Sequence, residues 1–179
     1  MSKDQPEKIK EFLVNSPENR PKAIFLFAHG AGSGMSTPFM ETIAKGITKA
    51  SVRVVRFHFP YMEEMVRSGK QTAPNGGGIL RKCFSEVIAH WIERENIPGK
   101  SIIIGGKAMG ARAASKIADD HKVAGVICFG YPFHPPRKPN SYRIKNLQTT
   151  QTPTLICQGE RDPKGRLEEI QRLNLSTSV

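Results

Sequence analysis

The segment Ser101-Ile-Ile-Ile-Gly-Gly-Lys-Ala-Met-Gly-Ala-Arg-Ala-Ala-Ser115 constrains this chain more than any other. Ile102 to Ile104 form an unbroken β-branched run, which suits a strand buried on both faces in a parallel sheet. Gly106-Lys107-Ala108-Met109-Gly110 follows with the small-x-nucleophile-x-small spacing of a sharp strand-to-helix elbow. The glycines are needed because side chains flanking the central residue would collide with the neighbouring strand. A hydroxyl belongs at the centre of such an elbow. The chain has Ala108 there.

Around this unit, strands and helices alternate. Apolar runs mark strands at residues 23–28, 52–57, 102–104, 123–129 and 154–157. A helix is expected from Pro38, with Phe39, Met40, Ile43, Ala44 and Ile47 on one face, and another carries the stripe Ile79 to Ile92. Residues 9–14 supply a short edge strand or helix, residues 63–78 read as a long mobile loop, and a short helix holds Leu167, Ile170 and Leu173. This alternation predicts an α/β fold, a mostly parallel sheet with helices on both faces. Ligands of such sheets bind beyond the carboxyl ends of the strands, and every unusual segment here falls at such an end.

Length and composition narrow the class. The 179 residues fit one domain, 1–179, led by a polar segment over residues 1–20. No apolar run approaches the roughly 18 residues of a membrane span, and the polar N-terminus is unlike a signal peptide. Three widely spaced cysteines, two of them in expected buried strands, fit a reducing cytoplasmic setting. The formal charge of +11 is spread from Lys3 to Arg172 without a block or interleaved aromatics, so it argues for general attraction to anions rather than for a nucleic-acid module. No cofactor or metal is called for.

The loop His29-Gly-Ala-Gly-Ser-Gly34 has two readings. As a dinucleotide loop it fails at Met35, where the third glycine belongs, and at Arg56–His58, where an acidic residue should end the second strand. Gly99-Lys100-Ser101 fails as a phosphate loop because residue 94 is Arg. As an oxyanion hole the glycine loop works, since such a turn exposes N–H groups and the N–H of Met109 supplies a partner donor.

Taken together, His29-Gly-Ala-Gly32, Phe59-Pro-Tyr-Met62, Gly106-Lys-Ala-Met-Gly-Ala111, Gly130-Tyr-Pro-Phe-His-Pro-Pro136 and Gly159-Glu-Arg-Asp162 resemble an alpha/beta-hydrolase. The chain is similar to the small dienelactone-hydrolase-like group that includes the testis-expressed and NSL-complex hydrolase-like proteins, over roughly residues 20–172. The resemblance implies a serine-hydrolase-type scaffold for ester- or thioester-like acyl substrates. It assigns Asp162 as the acid, Ala31 and Met109 as oxyanion N–H donors, and His29, Gly30, Gly32, Tyr131 and His134 to the substrate pocket. Two departures stand out. Ala108 leaves the nucleophile position vacant, and no His follows Asp162, so the sequence reads as the fold without its last strand and base-bearing loop. Removing one catalytic member costs about a millionfold in turnover. The expectation is an inactive hydrolase scaffold; a binding or protein-interaction module (a pseudohydrolase) and a nucleotide- or anion-binding domain are the alternatives.

Overall fold

The computed structural model describes residues 10–179, so Ile9 lies outside the described part. Six strands form one sheet: β1 (Phe12–Asn15), β2 (Ala23–Ala28), β3 (Val52–Phe57), β4 (Ile102–Lys107), β5 (Gly125–Phe129) and β6 (Thr154–Cys157). Their spatial order is β1-β3-β2-β4-β5-β6. Only β1 runs antiparallel, pairing with β3; the other pairings are parallel. The apolar cluster at residues 12–14 is thus an edge strand. Strand β5 begins at Gly125, two residues later than the apolar run at 123–129.

The alternation of side chains sorts two cores. Ile24, Leu26, Val55, Ile102, Ile104, Val126 and Cys128 face one side. Helix α3 (Gly77–Glu95) covers that side with Leu80, Cys83, Phe84, Val87, Ile88 and Trp91, a stripe at helical spacing. The elbow helix α4 (Met109–Ser115) packs beside it. On the opposite face, Phe25, Phe27 and Val54 meet Met40 and Ala44 of α1 (Pro38–Thr48). Thr37 caps α1, accepting from the Met40 N–H at 3.4 Å, and Pro38 occupies the first turn.

Past β4 this second face has little cover. Ile103, Ile127 and Phe129 are only partly buried, and Leu155 of β6 is 58% exposed. Cys157, expected inside a buried strand, is exposed for the same reason. Among the described residues no strand pairs with the outer edge of β6. Its one recorded tie there is the Thr154 N–H donating to the Ser178 carbonyl at 2.7 Å.

One expectation is corrected outright. The stretch read as a long loop, 63–78, ends inside α3 and begins inside helix α2 (Pro60–Ser68). Pro60 presets its first turn, Tyr61 and Met62 are buried, and Gly69, at φ 69°, ends it with its N–H on the Met65 carbonyl. Only residues 69–76 are irregular, and Asn75 ties them to the helix start by accepting from the Tyr61 N–H at 2.8 Å. Two short helices, α5 (Ala118–His121) and α6 (Lys145–Thr149), flank β5, and α7 (Leu167–Ile170) follows β6. No helix among the described residues is long and apolar enough to cross a membrane.

Candidate active site

The elbow forms at the carboxyl end of β4, in the middle of the sheet. Ala108 has φ 47° and ψ −103°, a conformation that L residues rarely adopt. Its N–H donates to the Phe129 carbonyl at 3.0 Å and its carbonyl accepts from the Arg112 N–H at 3.1 Å, so both flanking elements hold the turn. Close packing explains the glycines. A Cβ on Gly106 would lie 2.6 Å from the Ala28 carbonyl oxygen, and one on Gly110 would lie 2.6 Å from that of His29.

Such a backbone at a non-glycine residue costs about 1–3 kcal/mol and persists only where its surroundings impose it. With no hydroxyl to aim, the strain at Ala108 serves no attack. Ala108→Gly is therefore expected to stabilise the protein by about 1 kcal/mol, partly offset by the extra freedom of glycine in the unfolded chain. Urea denaturation of the two proteins checks this, and a clear loss of stability would contradict the strain argument.

The glycine loop sits against the elbow. His29 is fully buried. The Phe59 N–H donates to its Nε2 at 3.0 Å, so Nδ1 carries the proton and donates to the Gly30 carbonyl at 2.7 Å. Burial pushes its pKa down to about 4, with the His58 ring and Lys10 acting in the same direction. The Tyr61 hydroxyl is shared between the carbonyls of Gly30 (3.2 Å) and Ala31 (2.9 Å). Burial raises the Tyr61 pKa to about 12, which keeps it a donor. Because the Gly30 carbonyl points inward and a trans peptide sets C=O and N–H opposite, the Ala31 N–H points away from this interior. Neither it nor the Met109 N–H donates to another described group. Arg56, placed where a dinucleotide fold wants an acid, donates to the Met35 carbonyl (2.9 Å) and to Asn15 (3.0 Å) and ties the loop to β1.

Asp162 lies in the turn after β6. Its Oδ1 accepts from the Lys164 N–H at 2.9 Å, and Oδ2 comes within 3.4 Å of the Cβ position of Gly130 at the end of β5. None of the five histidines of the sequence is hydrogen-bonded to it.

The structure sets Gly30 against Lys107, the residue before Ala108, and leaves Ala31 and Gly32 exposed in the turn that follows. It removes the polar tips of His29, Tyr131 and His134 from any open pocket. Tyr131 is wholly buried, with its hydroxyl donating to the Arg143 carbonyl at 3.1 Å. His134 is 3% exposed, and its ring meets the Pro135 carbonyl and, at 3.4 Å, Glu169. These side chains hold the rim together rather than line it.

An open cavity of about 450 Å³ beside the elbow is lined instead by Phe39, Lys107, Phe129, Gly130, Cys157 and Gln158, with Gly159 beside them. Lys107 stacks its ammonium 4.9 Å from the centre of the Phe39 ring. The sequence carried one signal for this lining, since Lys107 adjoins Ala108 and Phe129 and Cys157 end their strands. Slightly larger clefts of about 540 and 490 Å³ lie at the opposite end of the sheet, around residues 15–24, away from the elbow. Among the described residues no group of three or more His, Cys, Asp or Glu is placed to hold a metal ion.

Comparison with known proteins agrees with this geometry. The alpha/beta hydrolase domain family matches residues 21–179. An alpha-beta serine hydrolase homologue from Coxiella burnetii superposes with a TM-score of 0.67 at 22% identity, over 89% of this chain and 73% of that one. A dienelactone hydrolase from Anabaena variabilis gives 0.63 at 21% identity, over 89% and 70%. A lidless α/β serine hydrolase from Xanthomonas campestris gives 0.66 at 15% identity, again over 89% and 70%. With that family match spanning nearly the whole chain, the chain belongs to the alpha/beta-hydrolase family.

Proposed function

We propose that this chain is a serine-hydrolase-type scaffold for ester- or thioester-like acyl ligands that binds without turning over. One observation carries the reading. The backbone at Ala108 keeps a strained elbow geometry next to the unengaged N–H of Met109, while its methyl side chain can neither attack a carbonyl nor exchange a proton. In a working member a hydroxyl oxygen at this position adds to the acyl carbon, and the Ala31 and Met109 N–H groups receive the developing oxyanion. Asp162 would hold an imidazole that takes the hydroxyl proton. The Phe39, Phe129 and Cys157 side chains form an apolar wall for the acyl chain. Three free thiols, one of them exposed, fit a reducing cytoplasm.

The test is a stepwise restoration read with p-nitrophenyl esters and a fluorophosphonate probe. The chain itself should show no turnover. Ala108→Ser alone should gain little, because no histidine reaches Asp162. Ala108→Ser joined to a family-like C-terminal strand carrying a histidine should label at residue 108, with turnover rising toward the roughly millionfold that the two groups supply together. If that protein folds and its new serine is never labelled, the acyl-transfer reading fails.

A further inference from the structure

Beside the elbow, between the first turn of α3 and helix α4, lies a cleft of about 30 Å³ whose walls include Gly77, Arg81, Met109, Arg112 and Lys116. No acidic residue lines it. Arg143 adds a further positive charge from the loop before α6, since it, Arg81 and Arg112 all act on Lys116. Among the described residues none of these four cations forms an ion pair.

Two further features make this more than a basic patch. The Nε of Arg112 is buried and has no hydrogen-bond partner. A buried donor left unmatched is rare and calls for a partner. Gly77 is the first residue of the 19-residue α3, so the positive end of that helix faces the same cleft. A Cβ there would lie 3.2 Å from Nη1 of Arg81, so the glycine leaves the guanidinium room. Burial and mutual repulsion lower the pKa of both Arg112 and Lys116.

We propose that this cleft binds the terminal phosphate of a small phosphorylated ligand. The size admits about two water-sized oxygens, so two phosphate oxygens enter and the rest of the ligand lies outside. Three lining cations, the nearby charge of Arg143 and a helix end suit a dianion, and guanidinium groups match phosphate oxygens in pairs. Arg81, Arg112 and Lys116 share the walls of one small cleft, which suits a single phosphate better than a polynucleotide backbone. The site adjoins Met109 but does not rest on the acyl-ligand reading, because phosphate binding needs no group at residue 108.

The experiment titrates the chain with inorganic phosphate at constant ionic strength, following melting temperature and the Nε–H resonances of arginine by NMR. Phosphate at tenfold its dissociation constant should raise the melting temperature by about 3–5 °C and shift the Arg112 Nε–H signal. Lys116→Gln, on an exposed position, and Arg81→Gln should each weaken phosphate binding at least tenfold while the protein stays folded by circular dichroism. An equal rise with chloride or acetate would overturn the proposal, as would an unmoved Arg112 signal. Binding of a short oligonucleotide through these residues without any response to inorganic phosphate would also overturn it.

Discussion

A Gly105→Ala variant is expected to lose its cooperative folded state. Gly105 pairs with Ile127 across β4 and β5. A Cβ there would stand 2.0 Å from the Ile127 carbonyl oxygen, 2.9 Å from its carbonyl carbon and 3.0 Å from Phe25 Cε2. Two of those atoms are backbone of a strand flanked on both sides by partners, so neither can swing away as a side-chain tip would. The strands must separate or β4 must shift, which breaks pairing in the centre of the sheet and displaces the elbow. The expected cost is about 4 kcal/mol or more, against a usual total stability of 5–15 kcal/mol. Gly32→Ala is the matched control, because nothing lies within 4 Å of a Cβ there, and it should change stability by less than about 0.5 kcal/mol. Far-ultraviolet circular dichroism with thermal melts separates the two. A Gly105→Ala protein melting within a few degrees of the parent would refute the packing account.

The second large effect is on acid stability. His29 has an ordinary pKa of 6.5 when unfolded and about 4 when folded. Between those values the unfolded chain takes up the proton while the folded one does not, so stability is whole above pH 6.5 and lost as pH falls toward 4. For this residue alone the loss is about 2 kcal/mol at pH 5 and about 3 kcal/mol at pH 4. His58, whose pKa burial also lowers although Glu63 and Glu11 oppose it, adds to the same slope. His29→Leu removes the titrating ring and strands the Phe59 N–H, so it should cost about 2–3 kcal/mol at neutral pH and flatten the profile. Urea denaturation at intervals from pH 7.5 to 4.5 measures both. An unchanged slope in His29→Leu would place the acid sensitivity elsewhere.

Much of the fold was legible in the sequence because its strands are apolar on both faces and its helices bounded by plain signals. Ala23 to Ala28 and Ile102 to Ile104 have no reading but buried strands, and the glycines from Gly105 to Gly110 admit one turn. Helix α2 was hidden because Glu63, Glu64 and Arg67 look like loop residues. Its apolar side is only Tyr61, Met62 and Met65, and the run Gly76 to Gly78 just after it suggested mobility. Those glycines instead lead into α3. Pocket residues were harder to read than framework. A sequence shows that His29, Tyr131 and His134 stand at strand ends, but not that their polar atoms turn inward onto backbone carbonyls and a carboxylate. Burial at the rim depends on how three separated segments close over one another, and local pattern carries no record of that.

The outer strand of the sheet has a consequence for the chain in solution. From Pro153 to Gln158 it carries no charged side chain, although lysines and bulges are the usual means by which exposed strand edges repel copies of themselves. The chain's positive charge of +11 lies elsewhere and acts at a distance that ions shorten to about 8 Å at physiological strength. Apart from the Ser178 carbonyl held by the Thr154 N–H, keeping two such edges apart falls to the long-range repulsion of the whole molecule. Added salt removes that protection without altering the fold itself.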